Sequence, residues 1–335
     1  MFCKLIQDII DLKTAKTHIL SYPDLAIRAN QVNLHQYHPE LESKSNYSPY
    51  NLGDFLSSVV VDYCCRKNNI KINNKTSRTY NLYAIGSLLL MGHQSATVWG
   101  SGLPYKPFLS KTITHYSILR KLDIRLVRGP LTQAELVKLG HDCPNIYGDP
   151  ALIMPFIYNP TCRKISNEYG VIPHYSMENK VEQYFDRDNI ISMRTNNYKR
   201  VINRICTCSR IITSSLHGMI LAEAYGVPVV LVSDRPKPLL FKYEDYLMST
   251  ERYLSYENTW EEGLNSSKIL PLPQNLRSLQ LNIISTFPAD IWRERESGYL
   301  ASVPFSIFNP IILILYSLDP WILGILFVPL RTVFI

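Results

Sequence analysis

Short β-branched apolar runs alternate along the chain with segments whose apolar residues recur at helical spacing. The clearest example lies between residues 210 and 237. In chain order the pattern predicts a strand at 211–213, a turn at 214–218, a helix at 219–225 and a strand at 227–232. The second run is continuously apolar, which is typical of a strand buried on both faces. Strand, helix and strand in this order predict a βαβ unit with two parallel strands.

The same alternation extends over most of the chain. Further strands are predicted at 24–34, 80–85, 96–99, 123–127, 169–175 and 189–194, and helices or amphipathic segments at 55–65, 131–139, 177–185, 198–209 and 241–250. This order predicts an α/β fold with a parallel sheet in each half. Because the segment 159–168 is polar, the predicted domains are 1–160 and 161–300.

The turn at 214–218 is the first candidate site. In a βαβ unit the unpaired N–H groups at the helix start face outward and attract anions. Ser214, Ser215 and His217 occupy this turn, and Lys237 follows the second strand. These residues predict an anion site that contains an acid/base group, although a lone histidine at a strand end is often purely structural.

Glycine and serine residues follow two of the predicted strands. These residues are Gly86, Ser87, Gly100, Ser101 and Gly102. Since the carboxyl ends of parallel strands share one edge of a sheet, bare backbone is expected at that edge. Tight turns and close approach of a ligand both explain such glycines.

Two charged residues stand beside predicted helix starts. Asp54, preceded by Gly53 at a tight turn, is expected to cap the helix at 55–65, and a catalytic role is the alternative. Arg128 ends the strand at 123–127 just before Pro130, which suits a first helical turn. It is either a surface arginine or a guanidinium aimed at a carboxylate or phosphate.

Composition and charge limit the kinds of partner and site that the protein is expected to have. The chain has 335 residues, 46% hydrophobic and 19% charged, so it is long enough for two globular domains. A net charge of +7 suits an anionic partner, and since no basic run is interleaved with aromatics, no nucleic acid is expected. The seven cysteines include no CxxC spacing, and the pairs at 64–65 and 206–208 fall in predicted helices. We therefore expect neither a zinc site nor a disulfide framework, and a cytosolic location.

The C-terminal segment 302–335 is strongly apolar. From Val303 onward its charged residues are Asp319 and Arg331. It is interrupted by Pro304, Pro310, Pro320 and Pro329, which leave pieces too short to cross a bilayer alone. We expect membrane association through a kinked span, a re-entrant hairpin or an interfacial anchor, and a tail packed on the core is the alternative.

A set of short motifs carries a resemblance to a known family. In order they are Asn51-x-Gly53-Asp54, Gly86-Ser87, Val98-Trp-Gly-Ser-Gly102, Val127-Arg-Gly-Pro-Leu131, Gly148-Asp-Pro150, Ile172-Pro-His-Tyr175 and Ser215-Leu-His-Gly218. Over residues 48–250 the chain resembles the polysaccharide pyruvyl transferase family. The resemblance implies a GT-B-like fold, in which two Rossmann-like domains face each other across a cleft. It also implies transfer of pyruvate from phosphoenolpyruvate to two hydroxyls of a sugar, giving a cyclic ketal and phosphate.

The resemblance also implies roles for residues. Arg128, His217 and Lys237 match the family's donor-binding residues, and Ser214, Ser215 and Gly218 complete the donor side in the second domain. The family commonly has an arginine where this chain has Ser215, so Arg210 or Arg235 is expected to replace it. His217 is the expected general acid/base, and Asp54 and His174 are candidates for the acceptor hydroxyls. The first domain is expected to be the acceptor side. No metal or cofactor is implied.

The expected acceptor is a sugar of a surface polysaccharide, such as an exopolysaccharide or capsule, or its lipid-linked precursor at the inner face of the cell membrane. Two alternatives stay open. One is a GT-B glycosyltransferase that uses a nucleotide sugar. The other is an inactive relative that serves as a binding partner in a polysaccharide assembly complex.

Overall fold

The computed structural model describes residues 32–35, 51–70, 80–89, 95–105, 121–160, 165–234 and 240–292. All of them belong to one compact unit, residues 1–294, and the second unit, residues 295–335, lies outside the described residues. Lys237, Arg235 and the predicted apolar tail therefore also lie outside them. The domain boundary near residue 160 stays a prediction.

The first sheet has four parallel strands in chain order. They are β1 (Val32–His35), β2 (Tyr80–Tyr83), β3 (Ala96–Trp99) and β4 (Leu122–Leu126). The predicted strands at 80–85, 96–99 and 123–127 are confirmed, and only the last part of the strand predicted at 24–34 is described. Every residue of β3 is buried, and the hydroxyl of Thr97, its polar residue, donates to Asp123 on β4.

The second sheet has three parallel strands, β5 (Asn167–Ile172), β6 (Cys208–Thr213) and β7 (Val229–Leu231). The predicted βαβ unit is confirmed, with Thr213 of β6 paired with Leu231 of β7. The strand predicted at 189–194 is wrong, because Ile190 makes a single bridge to Val171 and the chain then leaves the sheet. It leaves because the carbonyl of Met193 accepts a hydrogen bond from the N–H of Leu52, at the start of the first long helix.

The helices of the described residues follow in chain order. They are α1 (Leu52–Lys67), α2 (Pro130–Lys138), α3 (Met154–Ile157), α4 (Glu178–Val181), α5 (Tyr198–Cys206), α6 (Leu216–Ala224), α7 (Phe241–Ser249), α8 (Trp260–Asn265) and α9 (Leu276–Ser285), with short 3-10 turns at Pro150–Ile153, Tyr175–Met177 and Ala289–Trp292. None of these helices is both long and apolar enough to cross a membrane.

Two predicted helices are longer than the observed ones. The helix predicted at 177–185 is reduced to α4, because Phe185 turns inward to pack on Tyr169 and Trp260. The helix predicted at 198–209 ends at Cys206, and Cys208 starts β6 instead, since its backbone pairs with Asn167 of β5.

One hydrophobic core extends from the first sheet to the second. It includes Leu82 and Trp99 of the first sheet and Ile211 and Leu231 of the second, all fully buried. Helix α9 follows the second sheet in sequence yet packs on the first, because Trp99 donates its indole N–H to the carbonyl of Ile283 at 3.0 Å. Candidate residues at the strand ends of both halves are therefore held within one packed body.

Candidate active site

The turn between β6 and α6 is fixed by its own serines. Ser215 is the N-cap of α6 and accepts a hydrogen bond from the N–H of Gly218 at 3.2 Å. The hydroxyl of Ser214 accepts one from the N–H of His174 at 2.8 Å, and Tyr243 donates its hydroxyl to the Ser214 carbonyl at 2.7 Å. A β-carbon at Gly218 would lie 2.6 Å from Ile172, so glycine there allows α6 to pack closely on β5. The predicted turn is confirmed, and donor contacts by these residues stay predictions.

His217 lies inward from this turn between Gly53 and Asp149. A β-carbon at Gly53 would lie 1.9 Å from His217 Nδ1, so α1 approaches the imidazole as closely as glycine permits. On the other side, His217 Nε2 is 3.9 Å from Asp149 Oδ2. Both of these atoms are buried, and neither has a hydrogen-bond partner among the described residues. The histidine side chain is 14% exposed and the aspartate side chain 0%.

Asp54 joins the site from the first turn of α1. The prediction that it caps this helix is wrong. Asn51 is the N-cap and accepts from the N–H of Gly53, because it is the extended residue just before the helix. Asp54 is 5% exposed, accepts from the Asn51 side-chain amide at 2.6 Å, and lies against the end of β2. A β-carbon at Gly86, whose φ is +113°, would be 2.7 Å from Asp54 Oδ1.

Burial shifts the pKa of each ionisable group in this cluster. It raises the pKa of Asp54 to about 7, with Asp149 adding to the rise and Lys242 opposing it. Burial also raises the pKa of Asp149 to about 6, although the hydrogen bond from the Ala151 N–H and the charge of Arg128 lower it. It lowers the pKa of His217 to about 3, and the positive charges of Lys242 and Arg128 lower it further. In the ligand-free protein at neutral pH, His217 is therefore neutral and Asp54 is close to half protonated, so the cluster holds both a proton acceptor and a proton donor.

Arg128 is a buried cation and not a surface arginine, since it is only 1% exposed. Its guanidinium pairs with Asp245 at 3.2 Å and donates to the Ser87 hydroxyl at 3.0 Å. It also donates to the Leu103 carbonyl and lies flat on Gly102, where a β-carbon would be 2.4 Å from its Cζ. The carboxylate toward which Arg128 points thus belongs to the protein, and contact with a donor substrate stays a prediction.

The glycines at the strand ends serve two purposes. Gly100 has φ +96° and packs on Pro150, and Ser101 bonds to the carbonyl of Gly86 and the N–H of Leu88, so this segment is a tight turn. Three glycines instead make room for ionisable side chains. They are Gly53 beside His217, Gly86 beside Asp54 and Gly102 beside Arg128. The close approach that these glycines permit comes from the site's own side chains.

The other predicted residues either make contacts elsewhere or lie outside the described residues. His174 contacts the α6 turn through its backbone, while its Nδ1 is 2.8 Å from the Ser176 hydroxyl. Arg210 does not replace the missing arginine, because it lies at the opposite end of β6 and donates to the Leu264 and Ser266 carbonyls. Lys237 and Arg235 lie outside the described residues.

Three residues of the site were not predicted from the sequence. Asp149 is part of the Gly148-Asp-Pro150 motif, which was a signal for it, but no role was assigned. Lys242 and Asp245 lie on α7, which the amphipathic pattern predicted without indicating its neighbours. Asp245 accepts from both the N–H and the hydroxyl of Thr132, at 2.9 and 2.7 Å, so it is a fully bonded buried carboxylate.

The fold and the cluster together define a class. The protein is an α/β protein with a buried cluster of ionisable side chains, flanked by cations, at the carboxyl ends of its parallel strands. Comparison with family models matches residues 51–235 to the polysaccharide pyruvyl transferases. The match covers more than half of the chain, and the chain belongs to the polysaccharide pyruvyl transferase family. The matched segment contains Asp54, Arg128, Asp149 and His217.

A similar protein is found in a giant virus. An uncharacterized protein of Acanthamoeba polyphaga mimivirus is 24% identical over 265 residues, which cover 74% of this chain and 86% of that protein. The family membership supports a transferase that acts in pyruvyl transfer to polysaccharide.

Proposed function

We propose that this protein transfers the pyruvyl group of phosphoenolpyruvate to two hydroxyls of one sugar, forming a cyclic ketal and releasing phosphate. The acceptor is a sugar of a surface polysaccharide or of its lipid-linked precursor. The observation that supports this most directly is the buried cluster of His217, Asp149 and Asp54, which lies within the electrostatic reach of Arg128 and Lys242.

The reaction needs proton transfers at four atoms, which are the methylene carbon, the two hydroxyl oxygens and an oxygen of the released phosphate. A proton adds to the methylene carbon of phosphoenolpyruvate, and the oxygen of one sugar hydroxyl bonds to the adjacent carbon and loses its proton. The bond from that carbon to the phosphate oxygen then breaks, and phosphate leaves with the electron pair. The second hydroxyl oxygen bonds to the same carbon and also loses its proton. One proton ends on the new methyl group and the other on phosphate.

His217 and Asp54 suit these steps. Neutral His217 accepts a proton, whereas Asp54, with a pKa of about 7, is protonated in a large share of molecules at neutral pH. The anionic donor offsets the charges of Lys242 and Arg128, so its binding raises the pKa of His217. In the complex His217 can then serve as acid as well as base.

The donor carries a phosphate and a carboxylate, which need fixed positive groups. Lys242, Lys237 and the N-terminus of α6 supply them, and Arg128 contributes its charge from the buried position beneath Gly102. The proposed setting is a GT-B-like cleft in a cytoplasmic enzyme at the inner face of the membrane, with residues 302–335 as the membrane contact. Equal membrane binding of a protein that lacks residues 302–335, measured by cell fractionation, would contradict this anchor.

The first test measures thermal unfolding with phosphoenolpyruvate and, separately, with nucleotide sugars. A ligand that binds only the folded state raises the midpoint, and no acceptor needs to be known. Phosphoenolpyruvate is then incubated with a panel of sugars, and phosphate release is measured together with the mass of the ketal product. We expect a midpoint shift with phosphoenolpyruvate and a product that disappears in His217→Gln but persists in His141→Gln, a histidine in the loop after α2.

The other outcomes favour the alternatives. A shift with nucleotide sugars alone would favour the glycosyltransferase and contradict the proposed donor. Absence of any shift and of any product would favour an inactive relative that acts as a binding partner.

A further inference from the structure

We propose that Asp149 is a positioning residue for His217, which holds the imidazole through Nε2 and leaves Nδ1 as the nitrogen that exchanges a proton with the substrate. The part of this inference that concerns catalysis rests on the proposed function. The pairing of the two side chains does not, because it is a property of the ligand-free protein.

Within the described part of the chain, each of the two facing atoms lacks any other hydrogen-bond partner. Asp149 Oδ2 and His217 Nε2 are both buried, and neither has a hydrogen-bond partner among the described residues. A buried polar atom without a partner destabilises the fold, so there is a driving force for these two atoms to pair. Their separation of 3.9 Å is about 1 Å longer than a hydrogen bond. Hydrogen bonds between catalytic groups are often long or poorly aligned before substrate binds and tighten in the complex, so we expect this pair to close when substrate is bound.

Both side chains are also held in place on the sides that do not face each other. Asp149 Oδ1 accepts from the N–H of Ala151 at 2.9 Å and caps the turn at Pro150–Ile153, so the carboxyl group cannot rotate freely. Gly53 confines the Nδ1 edge of the imidazole. The carboxyl group therefore presents Oδ2, and no other oxygen, to Nε2.

The carboxylate also determines which ring nitrogen of His217 carries the proton. An ionised carboxylate only accepts hydrogen bonds, so Nε2 must carry the hydrogen and Nδ1 keeps its lone pair. Nδ1 lies beside the first turn of α1, which also carries Asp54, the second acid/base group of the site. Asp149 thus directs the basic nitrogen toward the side where the other proton-transfer group stands.

The charged groups around the imidazole show why a carboxylate is needed there. Lys242 on α7 and Arg128 after β4 both disfavour a positive charge on His217. Asp54 on α1 is mostly protonated, and so uncharged, below pH 7 and about half protonated near pH 7. Asp149 is therefore the carboxylate that stabilises the imidazolium once His217 has taken a proton, as a buried aspartate does for the histidine of a catalytic triad.

Asp149→Asn is a sharp test because it changes one atom and keeps the cap. The Ala151 N–H requires an acceptor, so the amide oxygen of the new side chain takes the Oδ1 position and its NH₂ group faces Nε2. Because this NH₂ group is a hydrogen-bond donor, it favours the other tautomer of His217, in which Nε2 is the acceptor and Nδ1 carries the hydrogen. Asp149→Ala removes both the cap and the partner of Nε2. Its comparison with Asp149→Asn, which keeps the cap, therefore separates the two roles.

The readout is the tautomer of His217 in the full-length, ligand-free protein. The histidines are labelled with ¹⁵N, long-range proton–nitrogen spectra are recorded at pH 8, and His217 is assigned by the loss of its signals in His217→Gln. We expect the Nε2–H tautomer in the wild type and the Nδ1–H tautomer in Asp149→Asn. The same tautomer in both proteins would overturn the proposal, whatever the activity of the variant.

Kinetics completes the test. If phosphoenolpyruvate is the donor, Asp149→Asn keeps the midpoint shift with phosphoenolpyruvate and its KM, while kcat falls by at least about 10²-fold. A fall in kcat without a change of tautomer would mean a purely structural role and contradict the inference. If phosphoenolpyruvate stabilises neither the wild type nor the variant, the proposed donor is wrong, and the spectra still decide the pairing of Asp149 with His217.

Discussion

Gly53→Ala is expected to displace His217, the proposed acid/base group, while leaving the protein folded. The added methyl would lie 1.9 Å from His217 Nδ1, 2.4 Å from Cγ and 2.8 Å from Cβ. Ordinary contact between such atoms begins near 3.4 Å. The imidazole must therefore move by on the order of 1.5 Å, because Gly53 is anchored in the first turn of α1 and cannot retreat.

Two opposing terms set the stability of this variant. Forcing a methyl into a packed site costs about 1–3 kcal/mol. Alanine is a better helix former than glycine by up to about 1 kcal/mol, which offsets part of that cost. The net loss is smaller than the roughly 5–15 kcal/mol that stabilises a typical domain, so the variant stays folded at 25 °C. Misplacing a reacting group by about 1 Å can lower the rate about 10²-fold, and we expect a loss of kcat of that order.

The assay compares kcat with the free energy of unfolding in urea. The control is Gly263→Ala in α8, where the added methyl would lie 2.5 Å from Val232 and no residue of the cluster is contacted. The control should lose a similar amount of stability and keep its kcat. A folded Gly53→Ala protein with a changed His217 spectrum but wild-type kcat would refute the assignment of His217 as the acid/base group. An unchanged spectrum would refute the expected displacement.

Two further predictions concern buried charges. The folded-state pKa of Asp54 is raised from 3.8 to about 7, so its stabilising contribution is complete below about pH 4 and is lost as the pH rises through 7. The unfolding free energy of Asp54→Asn should therefore rise relative to wild type between pH 4 and pH 8, by at most roughly 4 kcal/mol, and parallel pH curves from urea unfolding would contradict this. Arg252 pairs with both oxygens of Glu223, at 2.6 and 2.7 Å, and Tyr246 donates to the same carboxylate. Arg252→Met should lower the unfolding free energy by about 3–5 kcal/mol in the same assay, because it leaves the buried carboxylate of Glu223 without its ion-pair partner. The double variant with Glu223→Met should recover much of this loss. An equal loss in both proteins would show that the ion pair is not the cause.

Local patterns in the sequence were sufficient to predict most of the elements. The run Ala96–Trp99 was predicted with its observed bounds, and the βαβ unit around His217 was predicted in the right order. These predictions succeed because burial periodicity and glycine at helix ends depend on nearby residues. The strand predicted at 189–194 was wrong because the carbonyl of Met193 accepts a hydrogen bond from the N–H of Leu52, a residue far away in sequence.

The chemistry-bearing residue types could also be read from the sequence. His217, Asp54 and Arg128 follow from strand ends, helix starts and the family's motifs. Their neighbours could not be read in the same way. Asp149 is separated from His217 by most of the second sheet in sequence, and Asp245 of α7 meets Arg128 across an even longer separation.

The sequence by itself determined the alternation of strands and helices, the turn that carries His217 and the family to which the chain belongs. Only the tertiary structure decided that Asp149 faces His217, that Arg128 is buried on Asp245, and that Gly53, Gly86 and Gly102 make room for site side chains. The physical reason is that secondary structure is specified by local patterns. The partners and the pKa of a buried group depend instead on which distant segments are packed around it.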